Sequence, residues 1–390
     1  MQLIDELTAR RNEHATWRRD IHAHPELAYQ EHRTADFVAA RLEEFGIPFV
    51  RGLGGTGLVG TLKCGRSDRA IGLRADMDAL PLQELNRFDH ASRHAGVMHA
   101  CGHDGHTAML LAAAEHLAHT RDFDGIVHFI FQPAEEGEAG AKAMMDDGLF
   151  RDFPMESVYA LHNWPGLPVG RMAMRAGAAM AAMDIFEVHV EGVGGHAALP
   201  HLARDPILAA SELIQAWQCI VSRNVKAIEP AVLTVTQFHA GDAYNVIPAE
   251  VVLRGTVRCF SQEVRKLVET RMQEIAEGVC KSHGCTFRWR YEHRFPPTVN
   301  SARETDLAAA AAIAVCGAEH VDTAVEPVTG SEDFGYMLEE KPGCYAFIGN
   351  GSSEGGCMLH SPHFDFNDDI IPIGASYWVR LVHDLLGAED

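Results

Sequence analysis

The chain has 390 residues, 47% of them hydrophobic, and a formal net charge of -21. That length accommodates a large core and two domains, and the charge argues against nucleic acid or an anionic membrane as a partner. No apolar run approaches the roughly 18 residues needed to span a bilayer. Residues 1–20 lack the apolar centre of a signal peptide. Nine cysteines without framework spacing favour reduced thiols, and a cytoplasmic location is expected.

Helical periodicity opens the chain over residues 3–20 and 34–45. A glycine-rich turn leads into strands at 58–62 and 70–76. Gly52-x-Gly54-x-x-Gly57 fits the dinucleotide fingerprint, but that fingerprint has to open a helix. Here it opens the β-like Leu58-Val59-Gly60-Thr61-Leu62, so it reads as a hairpin turn. A helix over 106–119, a near-continuous apolar strand at 126–131, a helix over 140–149 and a strand at 158–162 follow. Strands alternating with helices predict an α/β layered sheet. The pattern changes near Met183. A strand at 185–190, a helix over 206–223, strands at 232–239 and 251–258, a helix over 262–282 and a strand at 286–291 give the order β-α-β-β-α-β, that of a ferredoxin-like unit. Pro296-Pro297 ends it. The rest returns to α/β character: a helix from 302, another over 333–339, a strand at 344–348 and a final helix over 373–386. The expected fold is therefore a layered α/β/α catalytic domain (1–182 and 297–390) with an inserted ferredoxin-like α+β lid domain (183–296).

Four segments carry chemistry, each expected where a loop leaves a strand, the place where such sheets bind ligands. Cys101-Gly102-His103 pairs a soft sulfur with an imidazole, a combination suited to a borderline divalent ion such as zinc. Gln132-Pro133-Ala134-Glu135-Glu136 follows the apolar strand. Leu161-His162-Asn163 and Leu359-His360-Ser361-Pro362-His363-Phe364 supply further imidazoles. An isolated Glu-Glu is ordinarily a solvated acidic turn. Beside three companion segments it reads differently. Neighbouring carboxylates on extended backbone diverge, so one can bind a metal while the other takes a proton from water, the division of labour that metal-assisted hydrolysis requires. A purely structural metal site would be closed and would have no need of the second carboxylate.

With these segments in view, the chain resembles the aminoacylase/carboxypeptidase-type dinuclear metallopeptidases, and most closely the hippurate hydrolases and indole-acetyl-amino-acid hydrolases among them. The matching motifs run from Arg18-Arg19-Asp20-Ile21-His22-Ala23-His24-Pro25-Glu26-Leu27 to His360-Ser361-Pro362-His363-Phe364. They include His99-Ala100-Cys101-Gly102-His103-Asp104, Gly194-Gly195-His196-Ala197 and Thr329-Gly330-Ser331-Glu332-Asp333-Phe334. The resemblance implies two divalent ions per subunit, zinc or manganese, with cobalt or nickel as further candidates. It makes Cys101 a bridging ligand and His103, Glu136, His162 and His360 the others. Glu135 becomes the general base, His196 the oxyanion stabiliser and Asn245 a substrate-binding residue. It also implies hydrolysis of N-acyl amino acids by a homodimer joined through the lid, with a dipeptidase or carboxypeptidase on the same centre as the alternative. Many relatives carry His-x-Asp where this chain has Asp76-Met77-Asp78, so Asp76 is expected to support the ligands rather than join them.

Overall fold

The computed structural model describes residues 1–353 and 358–387. The chain forms two compact units. The first comprises residues 1–179, 299–326 and 333–390; the second comprises 180–298 and 327–332.

The first unit is built on a mixed sheet. Its strands lie in the order Phe49–Leu53, Gly57–Cys64, Gly125–Gln132, Ala70–Asp76, Ser157–Pro165, Gly343–Gly351, Met172–Ala173 and Val321–Asp322. Every residue of Ala70–Asp76 is buried, the charged Arg74 and Asp76 included, as in a strand covered on both faces. The central strands Gly125–Gln132, Ala70–Asp76, Ser157–Pro165 and Gly343–Gly351 are parallel. Their C-terminal ends therefore share one edge. The helices Arg11–Ala23, His103–Thr120, Ile371–Leu386 and Ala302–Cys316 pack side by side. His103–Thr120 is buried from His103 to Ala118; a helix apolar all round belongs inside a domain.

Strands Phe49–Leu53 and Gly57–Cys64 pair antiparallel across the glycine run. Gly54 and Gly55 have φ of 60° and 87°, the left-handed geometry that a tight turn needs. The glycine fingerprint is thus a hairpin. The first expected helix divides in two, Asp5–Ala9 and Arg11–Ala23, at Arg10. The central helix begins at His103, earlier than its apolar run, because Gly102 at φ 98° turns the chain into it. Not all four chemical segments sit just beyond a strand: His162 lies within Ser157–Pro165, and Cys101 is reached through the irregular stretch 77–102.

The second unit is an antiparallel sheet in the order Ala231–Ala240, Glu250–Cys259, Ala182–Glu191, Thr286–Phe295, with the helices Pro206–Cys219 and Gln262–Ser282. This is the ferredoxin-like order expected. Ala182–Glu191 alternates buried and part-buried residues, the signature of a half-covered strand. Residues 327–332 also join this unit, a return that no local pattern announces. Ala231–Ala240 is an edge strand and exposes Val232 and Phe238. Among the described residues no helix is long and apolar enough to cross a membrane, and the described cysteines are free.

Burial of a titratable group in the first sheet has a pH consequence. His128, on Gly125–Gln132, is buried, its Nδ1 3.0 Å from the Thr61 hydroxyl. Burial pushes its imidazole down from 6.5 to about 4. The folded chain therefore binds fewer protons than the unfolded chain between these values, and stability falls as the pH drops below about 6.5. From the shift, this group alone should cost roughly 2 kcal/mol by pH 5. Urea unfolding at pH 7.5 and pH 5 should show His128→Gln gaining about that much relative to the parent chain at the lower pH. An equal loss in both proteins would contradict it.

Candidate metal centre

The first unit brings Cys101, His103, Glu135, Glu136, His162 and His360 together. The donor atoms of Cys101, His103 and His162 lie within 4.8 Å of one another; so do those of Cys101, Glu136 and His360, and those of His103, Glu135 and Glu136. Cys101 Sγ is 3.4 Å from His162 Nε2, and Glu136 Oε1 is 3.2 Å from His360 Nε2 and 4.0 Å from His103 Nε2. Cys101 belongs to two of these triads and so stands between them.

The hydrogen bonds around the cluster fix which nitrogen of each imidazole faces it. His103 Nδ1 donates to the Asp78 carbonyl at 2.9 Å, with Asp78 Oδ1 at 3.2 Å. His162 Nδ1 donates to the Asn163 carbonyl at 2.7 Å. In the neutral form of each ring the proton is therefore on Nδ1 and the Nε2 lone pair points inward, the orientation of a ligating histidine. His103 Nε2 and Glu136 Oε1 are buried atoms without a hydrogen bond. Burial, then Glu136, Glu135 and Asp76, push the Cys101 thiol well above its ordinary value. Burial opposes the charge on His103, but Asp76 and Asp78 outweigh it and hold the ring at about 10. Burial, then His106, push His162 well below its ordinary value. Mutually facing electron-pair donors in an acidic pocket are the donor set that a divalent cation takes.

The cluster Asp76, His103 and His106 also has its atoms within 4.8 Å, yet two of its members are engaged elsewhere. The Asn163 backbone N–H donates to His106 Nε2 at 3.0 Å, and His106 Nδ1 lies 2.6 Å from Asp76 Oδ1. Arg74 binds Asp76 Oδ2 at 2.7 Å. This agrees with a supporting part for Asp76. Asn163 Nδ2 donates to the Cys101 carbonyl at 2.6 Å, so Asn163 ties the Cys101 loop to the His162 strand. A Cβ on Gly102 would lie 2.2 Å from Asn163 Nδ2, so only glycine fits there. Sequence reasoning passed over His106 and Asn163, although each is adjacent in sequence or along the helix to a candidate ligand.

Glu135 is buried and Glu136 is half-buried. Their backbone is irregular: Ala134 has φ 54°, Glu136 ψ 71°, Gly137 φ 86° and Ala139 φ 58°. This broken turn carries the two carboxylates, which have oxygens within 4.8 Å of each other. His360 also has positive φ, 62°, and its N–H donates to the Ala100 carbonyl at 2.7 Å. The His360 side chain is exposed.

His196 and Asn245 lie in the second unit, close together. Gly195–His196 pairs with Val246–Ile247, and the Ala197 N–H donates to the Asn245 carbonyl at 3.0 Å. His196 Nδ1 accepts from the Ala198 N–H at 3.0 Å. The neutral ring therefore carries its proton on Nε2, an available donor.

Fold and site together define a hydrolase acting on amide bonds. The chain belongs to Peptidase family M20/M25/M40, whose model matches residues 72–384. The hippurate hydrolase of Campylobacter jejuni is 42% identical over 381 residues, covering 98% of each chain. The N-acetyl-L-cysteine deacetylase of Bacillus subtilis is 41% identical over 93% of this chain and 85% of its own. Among solved structures, the YXEP protein of Bacillus subtilis, described as a dinuclear metal binding peptidase from the M20 family, superposes with a TM-score of 0.85. Its identity is 33%, over 97% of this chain and 99% of that one.

Proposed function

We propose that the chain hydrolyses the amide bond of N-acyl amino acids of the hippurate type, releasing a carboxylate and a free amino acid. The observation that carries this reading is the pair of adjacent carboxylates: Glu136 shares a triad with Cys101 and His360, and Glu135 lies next to it and belongs to neither triad that contains Cys101. The acyl-amino-acid relatives support the substrate class.

Cys101, His103 and His162 would hold one ion, and Cys101, Glu136 and His360 a second. The thiolate favours zinc, and manganese is the alternative. Ions there would lower the pKa of a coordinated water toward about 7 and polarise the amide carbonyl. Glu135 takes a proton from the attacking water as its oxygen bonds the acyl carbon. As the C–N bond breaks, Glu135 passes that proton to the departing nitrogen, leaving the amine and a carboxylic acid; the acid's proton then goes to the amine, giving the carboxylate and the ammonium of the free amino acid. His196, with its proton on Nε2, donates to the oxyanion; one such donor is typically worth roughly 3 kcal/mol of barrier. Asn245, on the neighbouring strand, binds the substrate. The active form is a homodimer through the second unit. Its exposed edge strand offers unpaired N–H and C=O groups to a second copy. The free thiols suit the cytoplasm.

Two variants test the assignment. Glu135→Gln should retain its metals and lose at least 100-fold in hippurate turnover, on the order expected for a general base; near-normal kcat would remove Glu135 from this role. Cys101→Ala should lower the metal bound per chain, read by elemental analysis after dialysis. Unchanged stoichiometry would exclude it as a ligand.

A further inference from the structure

The turn that carries Glu135 and Glu136 is held in place by side chains from distant parts of the chain. The Ala134 N–H donates to Glu31 Oε1 at 2.9 Å, the Glu136 N–H to Asp78 Oδ2 at 2.9 Å, and the Ala141 N–H to Asp333 Oδ2 at 2.8 Å. The Tyr29 hydroxyl donates to the Glu138 carbonyl at 2.9 Å. Ala134 is a strained residue of this set. It is fully buried, precedes Glu135 directly, and adopts the left-handed conformation that side-chain-bearing residues avoid. Such a conformation persists only where the surroundings over-determine it.

Glu31 supplies that constraint. It is fully buried and sits at the N-cap of the helix His32–Glu44, yet its side chain caps nothing in that helix. Its carboxylate reaches instead to three other donors. Besides Ala134, the Tyr29 N–H donates to Oε1 at 3.0 Å and the Thr56 hydroxyl to Oε2 at 2.5 Å. Tyr29 itself is left-handed, at φ 60°. One carboxylate thus pins two strained turns, and Thr56 fixes its other oxygen.

We propose that Glu31 is a positioning residue of the hydrolytic reaction: by holding Ala134 in its left-handed conformation it aims the Glu135 carboxylate. Without the acceptor, the Ala134 N–H is buried unpaired and the turn can relax toward ordinary φ, carrying Glu135 with it. A general base must lie within hydrogen-bond reach of the proton it takes, so the loss falls on turnover rather than on binding.

The proposal rests on Glu135 acting as the base, and its test separates the two. Near-normal turnover of Glu135→Gln removes the base; the Glu31 and Ala134 pair reads only the aim of the turn. Steady-state kinetics on hippurate, metal content and thermal unfolding are measured for Glu31→Met, Glu31→Gln, Ala134→Gly and Glu31→Met/Ala134→Gly. Methionine fills the space without an acceptor, so kcat should fall at least tenfold with KM and metal content unchanged. Glutamine keeps an acceptor for the two amides and can donate to Thr56, so its kcat should stay within threefold of the parent. Glycine takes positive φ without strain, so the double variant should recover to within threefold of Ala134→Gly alone. An unchanged kcat in Glu31→Met overturns the proposal. So does a loss that follows metal content, or one that neither glutamine nor the glycine relieves. Should Glu31→Met fail to fold, Thr56→Val loosens the same carboxylate. A threefold fall in kcat at constant KM is then expected, and an unchanged kcat overturns the proposal.

Discussion

Electron-pair donors that face one another inside the protein are the constraint on which the rest of the structure depends. Cys101 Sγ, His103 Nε2, His162 Nε2 and Glu136 Oε1 converge from three separate segments. His103 Nε2 and Glu136 Oε1 are buried without a hydrogen bond, a costly state that a shared positive charge would relieve. The surrounding hydrogen bonds serve that arrangement. Asp78 and the Asn163 carbonyl take the outer protons of the two imidazoles, and Asn163 joins the loop and the strand that deliver Cys101 and His162.

Convergence of this kind demands unusual backbone. Ala134, Ala139 and His360 are non-glycine residues at positive φ, and all flank or belong to the candidate site. The regular parts of the sheet bring the segments to one edge. The last few ångströms are supplied by broken turns that acidic side chains hold by their amides. The hydrogen bonds from this turn to Glu31 and Asp78 tie those side chains to the geometry of the site.

Much of this was legible in the sequence. The continuous apolar run before Gln132 marked a doubly covered strand, the alternation in residues 185–190 marked a half-covered one, and the change of pattern near Met183 marked the inserted unit. The candidate ligands were legible because cysteine, histidine and paired glutamate are conspicuous by chemistry. The supporting residues were not, since a glutamate that accepts from two distant donors looks like any surface glutamate. Glu31 is followed by a helix and carries no local sign of its partners at Thr56 and Ala134. The start of the central helix at His103 was equally hidden, because it depends on the left-handed geometry of Gly102 rather than on the apolar pattern. The return of residues 327–332 to the second unit reflects tertiary contacts that no local periodicity encodes.

The most direct test of the central claim is anomalous diffraction from crystals grown with zinc or manganese. Two peaks should appear on either side of Cys101 Sγ, one bounded also by His103 and His162 and the other by Glu136 and His360. With zinc the sulfur should lie about 2.3 Å from each. A single peak, or peaks that leave Cys101 outside coordination distance, would contradict the account.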